Sequence, residues 1–339
     1  MKAALFLILL TAILFAIPSV QAQEKTPLRI GIIGLDTSHV PAFTGLFNDP
    51  KNEGDLAGFK VVAGFRGGSN DIPASFKRVE LFTKQIQEKY GVEIVDTIDD
   101  LVKKVDVVLI ESVDGRPHLE QAMPVLKAGK KVFIDKPIAG SLADAILIFE
   151  LAQKYKAPIF SSSSLRYAAN IQAAKNDPKL GKVLGCLSYS PCEIEPHHPD
   201  LFWYGVHGVE TLYTIMGTGC KSVSRTHTKD TDSVTGIWDD GRVGTYRGLR
   251  SGSKGYGTVI FGAKSDITTT GAVGGYKPLV VEIAKFFRTG VAPVSAEETV
   301  ELFAFMEAAD ESKRLEGRPV TIESVMQKAR EFNKTRKLP

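Results

Sequence analysis

Cysteine is scarce in this chain: Cys186, Cys192 and Cys220 are the only three in 339 residues, too few for a disulfide scaffold, and the odd count leaves at least one thiol free. Cys186 and Cys192 fall on one predicted strand, where six residues at about 3.3 Å each hold them too far apart to bond. Buried thiols are therefore expected, with a bond to Cys220 left open. Long runs of one charge are also missing. The 42 basic and 39 acidic residues are interspersed and give a net charge of +3, so no basic stripe faces a phosphate backbone and no nucleic-acid partner is predicted. Low-complexity tracts and internal repeats are absent as well. The apolar run Ala3–Ile17, interrupted by Thr11, is shorter than the ~20 residues that span a bilayer. With Lys2 before it and Pro18 and Val20-Gln21-Ala22 after it, residues 1–22 read as a signal peptide cleaved near Ala22, with a membrane anchor as the alternative. No arginine pair precedes the run and no cysteine follows it, so the expectation is Sec-type export to the periplasm or beyond, with no membrane attachment after cleavage.

What is present is a regular alternation. Apolar strand-like runs at Arg29–Ile33, Lys60–Phe65, Val92–Val95, Val105–Ile110, Lys131–Ile134 and Pro158–Phe160 are separated by helical patterns at Val40–Asn48, Ala74–Tyr90, Ile98–Lys103, Pro117–Lys127 and Leu142–Lys154. Runs this continuously apolar belong to a parallel sheet covered on both faces. Ser141 suits a helix N-cap and Gly129 a helix stop. After Ser161-Ser162-Ser163-Ser164 the pattern changes to longer alternating segments, Val183–Pro191, Lys221–His227, Val234–Trp238, Val243–Arg247 and Gly257–Phe261. One helix is inserted near Tyr204–Met216, and helices at Lys277–Phe287, Ala296–Leu315 and Ile322–Asn333 close the chain. The predicted class is α/β: an N-terminal Rossmann-like, doubly wound parallel sheet over 27–160, and a C-terminal α+β domain over 161–339 with an open, mostly antiparallel sheet.

The first strand runs into Gly34-Leu35-Asp36-Thr37-Ser38-His39. A dinucleotide fingerprint wants glycine at the first, third and sixth of these positions, for a tight turn, for backbone approach to the pyrophosphate and for close helix packing. Gly34 fits; Asp36 and His39 replace the other two. Asp36 repels a pyrophosphate unless it turns away, whereas Thr37, Ser38 and the helix N-terminus still offer donors. At the second strand's end, where an acidic residue binds an adenosine ribose, the sequence has Arg66-Gly67-Gly68-Ser69. Arginine with serine there leans toward NADP rather than NAD. A further stretch, Glu193 to His207, concentrates three of six histidines and three carboxylates in fifteen residues. It suits a sugar site with His197, His198 and the stacking faces of Trp203 and Tyr204, a metal site of Glu193, His197, His198 and His207, or a solvated loop.

Ile134-Asp135-Lys136-Pro137 at a strand end, Arg166-Tyr167 after the sixth strand, Gly205-Val206-His207 on a second-domain helix and the Ala304-to-Pro319 tail together resemble the Gfo/Idh/MocA family, typified by glucose-fructose oxidoreductase and inositol dehydrogenase. The resemblance spans nearly the whole chain after the leader. It implies a nicotinamide cofactor in the first domain, a small carbohydrate-like substrate against the second, and hydride transfer between them. Lys136 matches the lysine that reaches the nicotinamide ribose and a substrate hydroxyl, with Pro137 beside it, and His207 matches the catalytic histidine. Trp203 stands where the family carries an aspartate. Glu111 and Asp114, at the exit of the fourth strand, lie where the family passes under the nicotinamide. Arg166 and Tyr167 are expected at the substrate, and a homo-oligomer is in keeping with the family. Two other readings compete with this oxidoreductase. One is an exported hydrolase or lyase using His197, His198 and His207, with or without metal, and the other is a non-catalytic sugar-binding module.

Overall fold

The computed structural model describes residues 26–337, so the predicted signal peptide lies outside the described residues. Six strands form the first sheet: β1 (Leu28–Ile33), β2 (Phe59–Phe65), β3 (Glu93–Val95), β4 (Val107–Ile110), β5 (Lys131–Asp135) and β6 (Ile159–Ser162). All pair in parallel in the order β3-β2-β1-β4-β5-β6, the doubly wound arrangement that the alternation predicts. Their ends differ from the sequence reading by no more than two residues. The central strands are buried on both faces, β4 along its whole length, which is why they read as unbroken apolar runs. Local signals set the helix ends: Thr97 and Ser141 each accept the backbone N–H three residues on, and Gly129 takes a left-handed φ of 65° just past the His118–Lys127 helix. The expected helix over 74–90 is two helices, Pro73–Phe76 and Val79–Tyr90, the first held against the β1 turn through Ser75.

The second sheet has seven strands: β7 (Val183–Pro191), β8 (Cys220–His227), β9 (Thr231–Trp238), β10 (Val243–Leu249), β11 (Gly257–Gly262), β12 (Asp266–Thr270) and β13 (Val320–Thr321). Their order is β12-β11-β7-β10-β9-β8-β13; only β7 and β10 are parallel. β12 and β13 escape the sequence reading because the first is mostly exposed threonine and the second only two residues long. The Val206–Met216 helix presses on this sheet: a Cβ at Gly208 would lie 2.2 Å from the Tyr246 ring. That glycine fixes the depth at which its neighbour His207 sits. The three cysteines are free and buried, with no bond to Cys220.

The closing helices serve both sheets. Lys277–Thr289 buries Leu279, Ile283 and Phe286 in the cluster that holds β1, Phe133 and Phe160 of the first sheet. Ala296–Arg314 buries Leu302, Phe305 and Ala309 with the second. The carboxyl ends of the parallel strands are thereby covered by the second sheet's loops.

Candidate active site

The β1 turn begins at Gly34, where two constraints demand glycine. Its φ is +86°, and a Cβ there would meet the Ser112 Oγ at 2.1 Å and its backbone nitrogen at 2.5 Å. The turn is thus packed directly against the exit of β4. Asp36 is fully buried and turns inward: one oxygen accepts from the Ser75 hydroxyl at 2.5 Å, the other from the Val113 N–H at 2.9 Å. Burial raises its pKa, and the Ser75 bond works against that rise. Thr37 and Ser38 lead into the His39–Phe47 helix, and Ser38 makes no side-chain cap. His39 is buried, stacked on Phe43 and edge-on to Tyr276, with Nδ1 2.7 Å from the Asp135 Oδ2 at the end of β5.

A cavity of about 470 Å³ opens at these strand ends. Thr37, Ser38, His39, Val113, Lys136 and Ser164 contribute to its first-sheet side, with Arg78 also on the lining. Tyr204, His207, Tyr256 and the 272–276 loop with Tyr276 close it from the other. His207 is held by Ser163, whose Oγ lies 2.7 Å from Nδ1 and also accepts the Leu165 N–H. Burial, then the nearby Lys136, push this imidazole well below its ordinary pKa, so it is neutral at physiological pH. Tyr204 and Tyr256 meet hydroxyl to hydroxyl at 3.2 Å, with the Tyr204 ring 5.0 Å from His207.

Residues 28–162 match the Gfo/Idh/MocA family, described as an oxidoreductase family with an NAD-binding Rossmann fold. The match covers the first domain, about two fifths of the chain. Solved structures extend the likeness over both domains. A scyllo-inositol dehydrogenase from Lactobacillus casei with bound NAD(H) and scyllo-inositol superposes with a TM-score of 0.69 at 16% identity, covering 88% of this chain and 99% of that one. A myo-inositol 2-dehydrogenase from Lactobacillus plantarum gives 0.70 at 15%, covering 87% and 99%. GenD2 from gentamicin A biosynthesis, in complex with NAD, gives 0.69 at 15%, covering 88% and 97%. At such identities the likeness is one of fold. No curated protein matches the sequence.

Of the residues that the sequence singles out, the fold brings Thr37, Ser38, His39, Lys136, Tyr204 and His207 to one cavity. Others go elsewhere. Arg166 is buried in ion pairs with Glu210 at 2.8 Å and Glu298 at 2.6 Å; burial opposes its charge, but the two carboxylates outweigh it and raise its pKa. Neither Arg166 nor Tyr167 lines the cavity, which corrects their expected place at the substrate. Trp203 packs on His198, 5.2 Å between ring centroids, and also stands outside it. His198 is buried, its Nε2 accepting the Gly115 N–H at 3.3 Å and its Nδ1 bonded to the Pro199 carbonyl, so it joins the two domains. Its neighbour His197 is exposed on Glu195, and Glu193 pairs with Lys254. The set Glu193, His197, His198 and His207 therefore does not converge on a metal, because the loop sends adjacent histidines to opposite sides. The hydrolase reading loses its three-histidine constellation for the same reason.

At the exit of β2 Arg66 is exposed, while the Ser69 hydroxyl is committed to Asp114 at 2.5 Å. Asp114 also holds Arg116, which reaches across to Asp71, tying the β2 and β4 exits together. Pro137 and Glu111 are buried; the Glu111 carboxylate has no hydrogen-bond partner. Sequence reasoning missed Ser163, Arg78, Tyr256 and Tyr276 as well as the bond from Asp135 to His39. Asp135 was in view beside Lys136, but nothing local marks the tyrosines, which fold in from a hundred residues downstream of the parallel sheet.

Proposed function

We propose that the protein is a nicotinamide-dependent oxidoreductase that moves a hydride between the cofactor and a secondary alcohol of a sugar or cyclitol-like polyol. The observation that carries this reading is the convergence of Lys136, from the end of a parallel strand, and His207, from the second domain, on one cavity. The residues fit the cofactor where it would cross the sheet. Asp36 is turned into the protein, which removes its charge from the crevice, and Thr37 and Ser38 face the cavity at a helix start. The adenosine end is bridged by the Arg116–Asp71 pair, whose carboxylate lies in solvent and can yield to a ligand. Arg66 supports a 2′-phosphate, hence NADP over NAD.

A bound nicotinamide supplies the hydride acceptor. Ser163 Oγ takes the Nδ1 proton of His207 as a hydrogen bond, which leaves Nε2 as the base for the substrate hydroxyl proton. The depressed pKa keeps that base unprotonated. The Lys136 ammonium stabilises the oxygen as negative charge develops there, in a site that the three tyrosines shield from water. Tyr204 and Tyr256 offer ring faces and hydroxyls to a polyol. Export fits the same reading if the cofactor is retained through the turnover.

The test is nucleotide release on denaturing the protein purified from its own compartment, followed by reduction of NADP or NAD with a panel of cyclitols and aldoses. His207→Ala and Lys136→Ala should each lower kcat by about 10²–10⁴-fold with the unfolding midpoint kept. A protein free of nucleotide that binds neither NADP nor NAD overturns the proposal, and tighter binding of NADH than NADPH removes the preference. Cell fractionation that leaves the mature chain in the cytoplasm refutes the export.

A further inference from the structure

We propose that His39, Glu111 and Asp135 form a binding site for one divalent transition-metal ion, of the zinc, manganese or iron(II) class, behind the floor of the cavity. His39 opens the helix that follows β1, Glu111 and Asp135 stand at the ends of the neighbouring strands β4 and β5, and their ligand atoms all lie within 4.8 Å of one another. Among the described residues no other group of histidine, cysteine and carboxylate side chains converges in this way. His39 Nδ1 stands 3.8 Å from Glu111 Oε2 and 2.7 Å from Asp135 Oδ2.

The decisive observation is what these carboxylates lack. Both Glu111 oxygens and Asp135 Oδ1 are buried without any hydrogen-bond partner. A buried carboxylate left so is among the costliest arrangements in a protein interior, and it is relieved only by a proton or a cation. The Lys136 ammonium, next in sequence, attracts both carboxylates from a distance without forming an ion pair with either.

The donor set points to the class of ion. One imidazole with two carboxylates is the ligand chemistry of zinc, manganese and iron(II) rather than of calcium, which takes oxygen alone. Ligands about 2.0–2.2 Å from one ion stand roughly 3–4 Å apart. The His39–Glu111 spacing already falls there, and the His39–Asp135 contact needs to open by less than about an ångström. The Phe43 stack and the Tyr276 edge hold the imidazole in its present orientation. The same site gives a role to His39, one of the two residues that replace fingerprint glycines, and to Glu111, the acid buried at the exit of β4.

The test uses the mature full-length chain. It is stripped with a chelator, and zinc and manganese are titrated calorimetrically, with iron(II) under anaerobic conditions. Elemental analysis of the untreated protein and cobalt(II) absorption provide independent readouts. One ion per chain, a higher Tm on reloading and a cobalt spectrum that changes in His39→Ala support the site. Removing an outer partner of a metal ligand already costs 10–100-fold in affinity, so Glu111→Gln and His39→Ala should each weaken binding by more than about 100-fold, while His197→Ala leaves it unchanged. Glu111→Gln preserves shape, so its folding is expected, and its Tm in chelator checks it. Substoichiometric metal with no heat and no Tm change on adding any of the three ions overturns the proposal, as does equal affinity in Glu111→Gln. These results are independent of hydride transfer, so they stand or fall apart from the proposed oxidoreductase activity.

Discussion

His198 makes the link between the domains sensitive to acid. Its side chain is wholly buried between Trp203 and the Gly115 N–H, and burial pushes its pKa down from 6.5 to about 4. The unfolded chain binds the proton near pH 6.5 and the folded chain only near 4. Between those values the unfolded state holds more protons, so stability falls as pH falls, by about 1.4 kcal/mol per unit for this one group. Over the window the loss amounts to about 3 kcal/mol, a large fraction of a domain's stability. Protonation also costs the Nε2 acceptor that holds Gly115. His118 and His207 shift in the same direction, so the wild-type slope contains their share. The clean quantity is the difference between the wild type and His198→Gln in urea unfolding at pH 7, 6, 5 and 4.5. The gap between the two curves should change by about 1.4 kcal/mol per unit below pH 6.5 and flatten near 4. Parallel curves, or an NMR titration of the His198 ring centred near 6.5, would refute the reasoning.

Other perturbations read different parts of the structure. Gly34→Ala combines a left-handed φ with a backbone clash and should cost about 2–5 kcal/mol; a loss under about 1 kcal/mol by urea unfolding would show that the turn relaxes. Arg166→Met leaves Glu210 and Glu298 unpaired and should destabilise by about 3–5 kcal/mol while sparing kcat of the folded fraction, the opposite of what a substrate-binding arginine would give. Burial pushes the Cys192 thiol up to about 11 and those of Cys186 and Cys220 up to about 12. All three should ignore a thiol reagent in the native protein and react after unfolding; fewer than three reactive thiols then would reveal a disulfide.

Much of the fold was legible because it is written in local pattern. Continuous apolar runs gave the six parallel strands, and Thr97, Ser141 and Gly129 act at helix ends through bonds to residues within a turn. β12 was not legible, since an exposed edge strand of threonines carries no apolar alternation. In the Glu193–His207 segment, proximity in sequence does not become convergence in space. His197 and His198 are adjacent, yet one is in solvent and the other is a buried link to Gly115. The resemblance likewise set Arg166 at the substrate, whereas two carboxylates from distant helices capture it.

By itself the sequence determined the doubly wound sheet, the place of the crevice at its strand ends and the candidacy of Lys136 and His207, because periodicity and a strand-end motif are properties of neighbouring residues. Only the tertiary structure decided what the altered turn does. It turned Asp36 into the protein, brought His39 to Asp135 beside a partnerless Glu111, and covered the cavity with Tyr256 and Tyr276. Those outcomes depend on groups far apart in sequence, Asp36 and Ser75 by 39 residues and His39 and Asp135 by 96, meeting in a space where water is excluded, and no local pattern encodes which of them meet.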